Sequence, residues 1–211
     1  MLKKIRNAYY DVVANMLLMV VFALIMILID EVYWYSLDSD YKCKLVEDFH
    51  TKITEELSID DTIELGYYIE HLNKETGRVK YGYYSNKTKG LFINKNLFNM
   101  YKYNLVNTLA HETMHYWQYN IASSGDETYA VEMRHNIRDY SSRQVDPDND
   151  YTDYRMNPIE RQARAYAKRF EQRYIVEKYG RLIMLSFQLY SMTLISIIIT
   201  KMLYKNLRGI K

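Results

Sequence analysis

With 211 residues, 48% of them hydrophobic, 23 tyrosines and only seven glycines and two prolines, the chain has the size and composition of one folded domain with some length to spare, which excludes a disordered protein. A single cysteine, Cys43, excludes an internal disulfide framework and a cysteine-based zinc site. The net charge of +2 is uneven: residues 1–29 and 182–211 carry seven Lys/Arg against one acid, residues 30–181 carry 21 against 25, a net of −4, so there is no basic footprint for nucleic acid and the basic ends flank apolar segments as at a lipid bilayer.

Residues 12–29 form an apolar run broken only by Asn15, preceded by Lys3, Lys4 and Arg6 and followed by Asp30 and Glu31. About 20 apolar residues cross a bilayer, so this run is just sufficient. The cluster Tyr33, Trp34, Tyr35 suits an interfacial aromatic belt. The run is long for a signal peptide and no small-x-small cleavage site follows, so residues 1–36 are expected to be an uncleaved membrane anchor. A buried core helix fits less well, because the run has no polar face.

Leu45, Val46, Phe49, Ile53 and Leu57 fall at helical spacing and predict a helix over residues 40–57. Residues 62–72 suit either strand or helix, with strand favoured for the first half. Residues 73–77 read as a turn, Val79, Tyr81 and Tyr83 alternate as in a strand, residues 85–90 form a loop, and Leu91, Phe92 and Ile93 make a short strand. A small antiparallel sheet is therefore expected before the next helix.

That helix carries Leu109-Ala110-His111-Glu112-Thr113-Met114-His115-Tyr116-Trp117-Gln118. Val106, Ala110, Met114, Trp117 and Ile121 give it an apolar stripe. His111 and His115 lie one turn apart on one face, where two imidazoles reach one ion, and Glu112 stands about 100° further round. The arrangement suits Zn²⁺ with two nitrogen ligands and a nearby carboxylate that takes a proton from water. A five-residue pattern also arises by chance, so a third ligand has to be found.

The stretch 123–156 is polar. Asp146, Asp148 and Asp150 alternate like the start of a calcium loop, but the sixth position is Tyr151 rather than Gly and the twelfth is Asn157 rather than Glu, so a solvated loop is expected. Glu132 and His135 are possible ligands without supporting context. Asn157-Pro158-Ile159-Glu160-Arg161-Gln162-Ala163 then opens another helix, with Asn157 as cap and Pro158 in the first turn. Ile159, Ala163, Ala167, Phe170 and Tyr174 form its apolar face. Glu160 stands beside the small residues Ala163 and Ala167, which let a second helix approach. Asn157 and Glu160 also stand in the relation of a capping box, and a glutamate serving only that role has the same local sequence.

Residues 108–118 resemble the active-site helix of zincin metallopeptidases, and Asn157-Pro158-x-Glu160-x-x-Ala163 resembles the downstream glutamate motif of the gluzincin branch. Small SprT-like and ImmA/IrrE-like zincins of bacteria and phages are similar in plan. The resemblance covers about residues 45–175 in layout and is specific in the two motifs alone. It implies that His111, His115 and Glu160 bind zinc, that Glu112 is the general base, and that the strand at Leu91–Ile93 is the edge strand preceding the zinc helix. SprT-like proteins take a third histidine, for which His135 is the nearest counterpart here.

The helix from Pro158 is expected to run to about residue 181. Residues 182–200 are apolar or hydroxylic apart from Gln188 and are long enough for a second membrane helix. The basic ends favour a catalytic domain outside the cytoplasm; Arg169, Arg173, Lys178 and Arg181 on the domain side argue the other way. The expected architecture is an α+β zincin-like domain over residues 37–181, between an anchor at 1–36 and a hydrophobic helix at 182–211. The expected function is a membrane-anchored zinc metallopeptidase acting on a protein or peptide, with Tyr154, Tyr116 or His135 stabilising the oxyanion. One alternative is a membrane-anchored interaction protein with a structural or degenerate zinc site, which a fourth ligand such as His135 or Asp153 would favour. Another is a cytosolic-facing regulator that cleaves a single partner.

Overall fold

The computed structural model describes residues 2–59, 63–70, 79–124, 128–144 and 156–208. They are mostly helical, with five α-helices and one three-stranded sheet among them. The chain divides into two compact units, one formed by Trp34–Arg173 and the other by Met1–Tyr33 with Tyr174–Lys211.

Within the first unit, helix α2 (Ser39–Glu56) starts at Asp38, whose carboxylate accepts a hydrogen bond from the Tyr41 amide at 2.7 Å. It buries Val46, Phe49 and Ile53 of the expected stripe, and also Lys42 and His50, while Leu45 and Leu57 are half-buried. Strands β1 (Glu64–Tyr68), β2 (Gly82–Ser85) and β3 (Gly90–Asn94) follow. A 3-10 turn at Lys95–Asn99 leads into α3 (Lys102–Ser123); then come α4 (Thr128–Gln144) and the first part of α5 (Pro158–Arg208).

The sheet is mixed rather than antiparallel, with strand order β1-β3-β2. β1 runs parallel to β3, with Glu64 opposite Gly90 and Tyr68 opposite Asn94, while β2 runs antiparallel to it. The strand holding Leu91, Phe92 and Ile93 is thus central, and β2 is an edge. The reason lies in the residues: Leu91 and Ile93 are fully buried, Phe92 is half-buried on the opposite face, and an apolar strand covered on both faces belongs in the middle of a sheet. The ring of Phe92 stacks on Tyr83, centroids 4.8 Å apart, and covers Gly66 on β1, where a Cβ would fall 2.5 Å from the ring.

Helix α3 is the axis of this unit. Leu105, Val106, Leu109, Ala110, Met114 and Tyr116 are buried on more than one side of it, so its apolar surface is wider than a single stripe. Against its C-terminal half, Ala122 packs with Met133 of α4 and Ile159 of α5, with Trp117 and Ile137 at the margin. Nothing in the polar composition of residues 128–144 announced α4; among the described residues Ala130, Met133 and Ile137, at helical spacing, form its buried apolar side, and Tyr129 lies against Trp117. Trp34 is not an interfacial residue: it is 1% exposed, its indole N–H donates to the Met100 carbonyl at 2.8 Å, and the Lys42 ammonium lies 4.8 Å from its ring.

The second unit holds residues 2–33 of α1 (Leu2–Ser36) and the part of α5 from Tyr174 onward. Residues Ala14–Ser36 make one helix long and apolar enough to cross a membrane, and none of its most apolar window is buried in the structure. Leu17, Leu24 and Leu28 are each about 60% exposed. Asp30 accepts hydrogen bonds from Lys178 and from the Tyr179 hydroxyl. α5 does not stop near residue 181 but continues through Gly180 to Arg208, because one glycine costs a helix only about 1 kcal/mol relative to alanine. Ile183, Met184, Leu185 and Phe187 of this stretch are all more than half exposed.

Candidate metal centre

His111 and His115 stand one turn apart near the middle of α3, and Glu160 stands in the first turn of α5. Pro158 and Asn157 set that turn in place: the Asn157 side chain accepts from the Ile159 amide at 2.9 Å, and its carbonyl accepts from the Arg161 amide. Asn157 therefore caps the helix, and Glu160 is turned towards the two histidines, with its residue only 2% exposed.

The ligand atoms of His111, His115 and Glu160 all lie within 4.8 Å of one another. The two Nε2 atoms are 3.1 Å apart. One Glu160 oxygen is 3.3 Å from His115 Nε2, and the other is 3.5 Å from His111 Nε2. A tetrahedral ion with bonds of about 2.0–2.1 Å holds its donors roughly 3.3–3.4 Å apart, so each of these three contacts is near the spacing such an ion requires, with a different Glu160 oxygen facing each histidine. Two facing Nε2 atoms need either a shared proton or an ion between them, and the carboxylate closes the third corner. These residues can hold a metal.

The electrostatics favour a charged carboxylate. Burial alone would raise the Glu160 pKa, but hydrogen bonds and charge from His111 and His115 outweigh it and hold the carboxyl well below the usual range. Arg164, one turn on, adds a donor at 3.2 Å. His115 shows the mirror effect: burial works against its charged form, but Glu160, Glu112 and Gln118 together raise its pKa. Behind the ring, His115 Nδ1 meets Gln118 Oε1 at 2.8 Å.

Glu112 is half-buried, and one carboxylate oxygen accepts from the Tyr84 amide of β2 at 3.1 Å. That contact needs Gly82, where a Cβ would lie 2.8 Å from a Thr108 methyl and 3.2 Å from the Glu112 side chain. Tyr84 packs edge-on against Tyr116 and also against Tyr119, centroids 5.4 and 5.5 Å apart, which fixes β2 along α3. Burial, with Tyr116 and Tyr119 beside it, pushes the Tyr84 hydroxyl up to about 12.

His135 does not join the cluster. Its side chain is 62% exposed and faces Asp139, one turn further along α4, at 3.4 Å. Glu132 is exposed on the same helix. Tyr116 is buried against Tyr84. Tyr154, Asp153 and the acidic run 146–150 lie outside the described residues. Sequence reasoning missed Gln118, Arg164 and the backbone of β2. The first two carried a signal: each stands three or four residues from a proposed ligand on its own helix. The third depends on how β2 meets α3, which no local pattern encodes.

No family model matches the chain, and no curated protein matches it. Among solved structures, the chain is similar to the crystal structure of the metallopeptidase zymogen jannalysin of Methanocaldococcus jannaschii. The likeness covers 44% of this chain and 88% of that one, at 19% identity and a TM-score of 0.28.

Proposed function

We propose that this chain is a membrane-anchored, zinc-dependent metallopeptidase of gluzincin type. The observation that carries the reading is the cluster of donors from His111, His115 and Glu160, in which the two Nε2 atoms are 3.1 Å apart and one Glu160 oxygen faces His115 at 3.3 Å and the other faces His111 at 3.5 Å, beside a glutamate not needed to complete it. Two imidazoles and one carboxylate are a donor set suited to Zn²⁺ with one position left open. When bound there, zinc would supply a water acidified towards neutrality and polarise the scissile carbonyl.

The chain's own residues supply the rest. Glu112 accepts the proton of the attacking water and delivers it to the leaving amine. The Tyr84 amide holds one oxygen of that carboxylate, so its position is set by β2 as well as by α3. Arg164 donates to one Glu160 oxygen at 3.2 Å and orients the carboxylate. The exposed apolar face of α1 is the surface of a membrane anchor, and the exposed side chains of Ile183, Leu185, Phe187, Ile195 and Ile199 make α5 a second segment for the bilayer. The substrate class is a protein or peptide.

Glu112→Gln tests the chemistry. It should leave zinc content unchanged and lower peptide hydrolysis by about 10²–10⁴-fold, the range for loss of a general base. Hydrolysis at the wild-type rate would remove Glu112 from the mechanism. Bound zinc with no hydrolysis by the wild-type chain would favour the interaction protein.

A further inference from the structure

We infer that Gln118 is a positioning residue of the metal centre. It fixes His115 in the one neutral tautomer that presents Nε2 to the ion, and it ties that ring to the helix carrying Glu160. The inference rests on the metal-centre reading above and assigns a role to a residue outside the ligand set.

The argument starts from an atom that can only accept. The Ile159 carbonyl lies 3.0 Å from one end of the Gln118 amide, so that end must be the NH₂ group. The same nitrogen reaches Gln162 Oε1, also at 3.0 Å, which uses its second hydrogen. The other end of the amide is therefore the oxygen, and it faces His115 Nδ1 at 2.8 Å. An oxygen there requires the hydrogen on Nδ1. In a neutral imidazole this leaves the lone pair on Nε2, which points at His111 and Glu160.

Gln118 is fully buried, so water does not compete for these bonds. Its NH₂ partners, Ile159 and Gln162, flank Glu160 in the first turns of α5. One side chain thus sets the tautomer of one ligand and the spacing to another. A ligating histidine held through its second nitrogen is a general feature of metal sites, and its loss typically costs 10–100-fold in metal affinity.

Zinc affinity of the full chain in detergent, measured by competition with a chromogenic chelator, tests this in Gln118→Leu and Gln118→Glu. Leucine removes the acceptor; glutamate keeps it and loses the two donors to α5. Gln118→Leu should bind zinc 10–100-fold more weakly. Gln118→Glu should bind zinc more tightly than Gln118→Leu but more weakly than wild type, because it keeps the acceptor and loses the tie to α5, although its carboxylate faces the Ile159 carbonyl and lowers the unfolding temperature of the metal-free chain. A purely structural role would rank zinc affinity in step with fold stability and place Gln118→Glu last in both.

The ¹⁵N spectrum of the zinc-loaded wild type is independent of any variant and should show His115 protonated at Nδ1 and metal-bound at Nε2. The opposite assignment, or Gln118→Leu binding zinc within threefold of wild type, overturns the inference. If the wild-type chain takes up no zinc, the metal-centre reading falls and this inference with it. If wild type and Gln118→Leu take up zinc equally, the inference alone falls.

Discussion

A carboxylate that is 97% out of solvent needs partners, and Glu160 has His111, His115 and Arg164 within 3.5 Å. The sequence left Glu160 between two roles, because a capping box and a ligand have the same spacing from Asn157. The structure gives the capping bonds to Asn157 and turns Glu160 inward. That choice was not readable locally: it depends on a helix 45 residues upstream offering two imidazoles. At the same scale, His50 is buried on α2, its Nε2 has no hydrogen-bond partner among the described residues, and burial lowers its pKa from 6.5 to about 4. The unfolded chain therefore binds the proton first. His50 leaves stability unaffected above pH 6.5 and removes up to about 3 kcal/mol as pH falls from 6.5 to about 4. Denaturant unfolding across that range should show this loss, and His50→Leu should flatten its share of the slope. An unchanged slope in the variant would mean that His50 is paired or hydrated in the folded chain.

At the scale of elements, α2 and α3 were legible because their apolar residues repeat at three- and four-residue steps, and β1 and β2 were found to within a few residues. Helix α4 was not, because its apolar side among the described residues is a short series, Ala130, Met133 and Ile137, with Tyr129 beside Trp117. The order of the sheet was not readable either: pairing β1 with β3 rather than β2 is a long-range choice, made by the two-sided burial of β3. The close approach of β2 to α3 depends on Gly82. Gly82→Ala places a Cβ 2.8 Å from Thr108 and 3.2 Å from Glu112, which forces β2 or the carboxylate to move. The expected result is a stability loss of about 1–3 kcal/mol and reduced hydrolysis, with zinc content as in wild type, because none of the three donors is touched. Loss of zinc in that variant would show that β2 supports the ligands and not Glu112 alone.

On the scale of the whole molecule, the long apolar helix α1 was legible from hydropathy, since a run of 18 residues with one polar member matches the length and composition of a membrane span. Its end was not: Trp34 reads as part of an aromatic belt but is buried, with its indole bonded to Met100. Likewise the helix from Pro158 was expected to end near residue 181, yet α5 continues to Arg208. Charge placed basic residues at the outer ends of both apolar stretches, and the structure adds the bond between Lys178 and Asp30 within the same unit. The account as a whole depends on one ion reaching three donors that come from residues 111, 115 and 160. The zinc content of the purified full-length chain, wild type beside Glu160→Ala, tests this most directly. The account predicts about one zinc per chain in the wild type, removed by a chelator and lost in the variant. A wild type without zinc, or a variant that holds it as tightly, would contradict it.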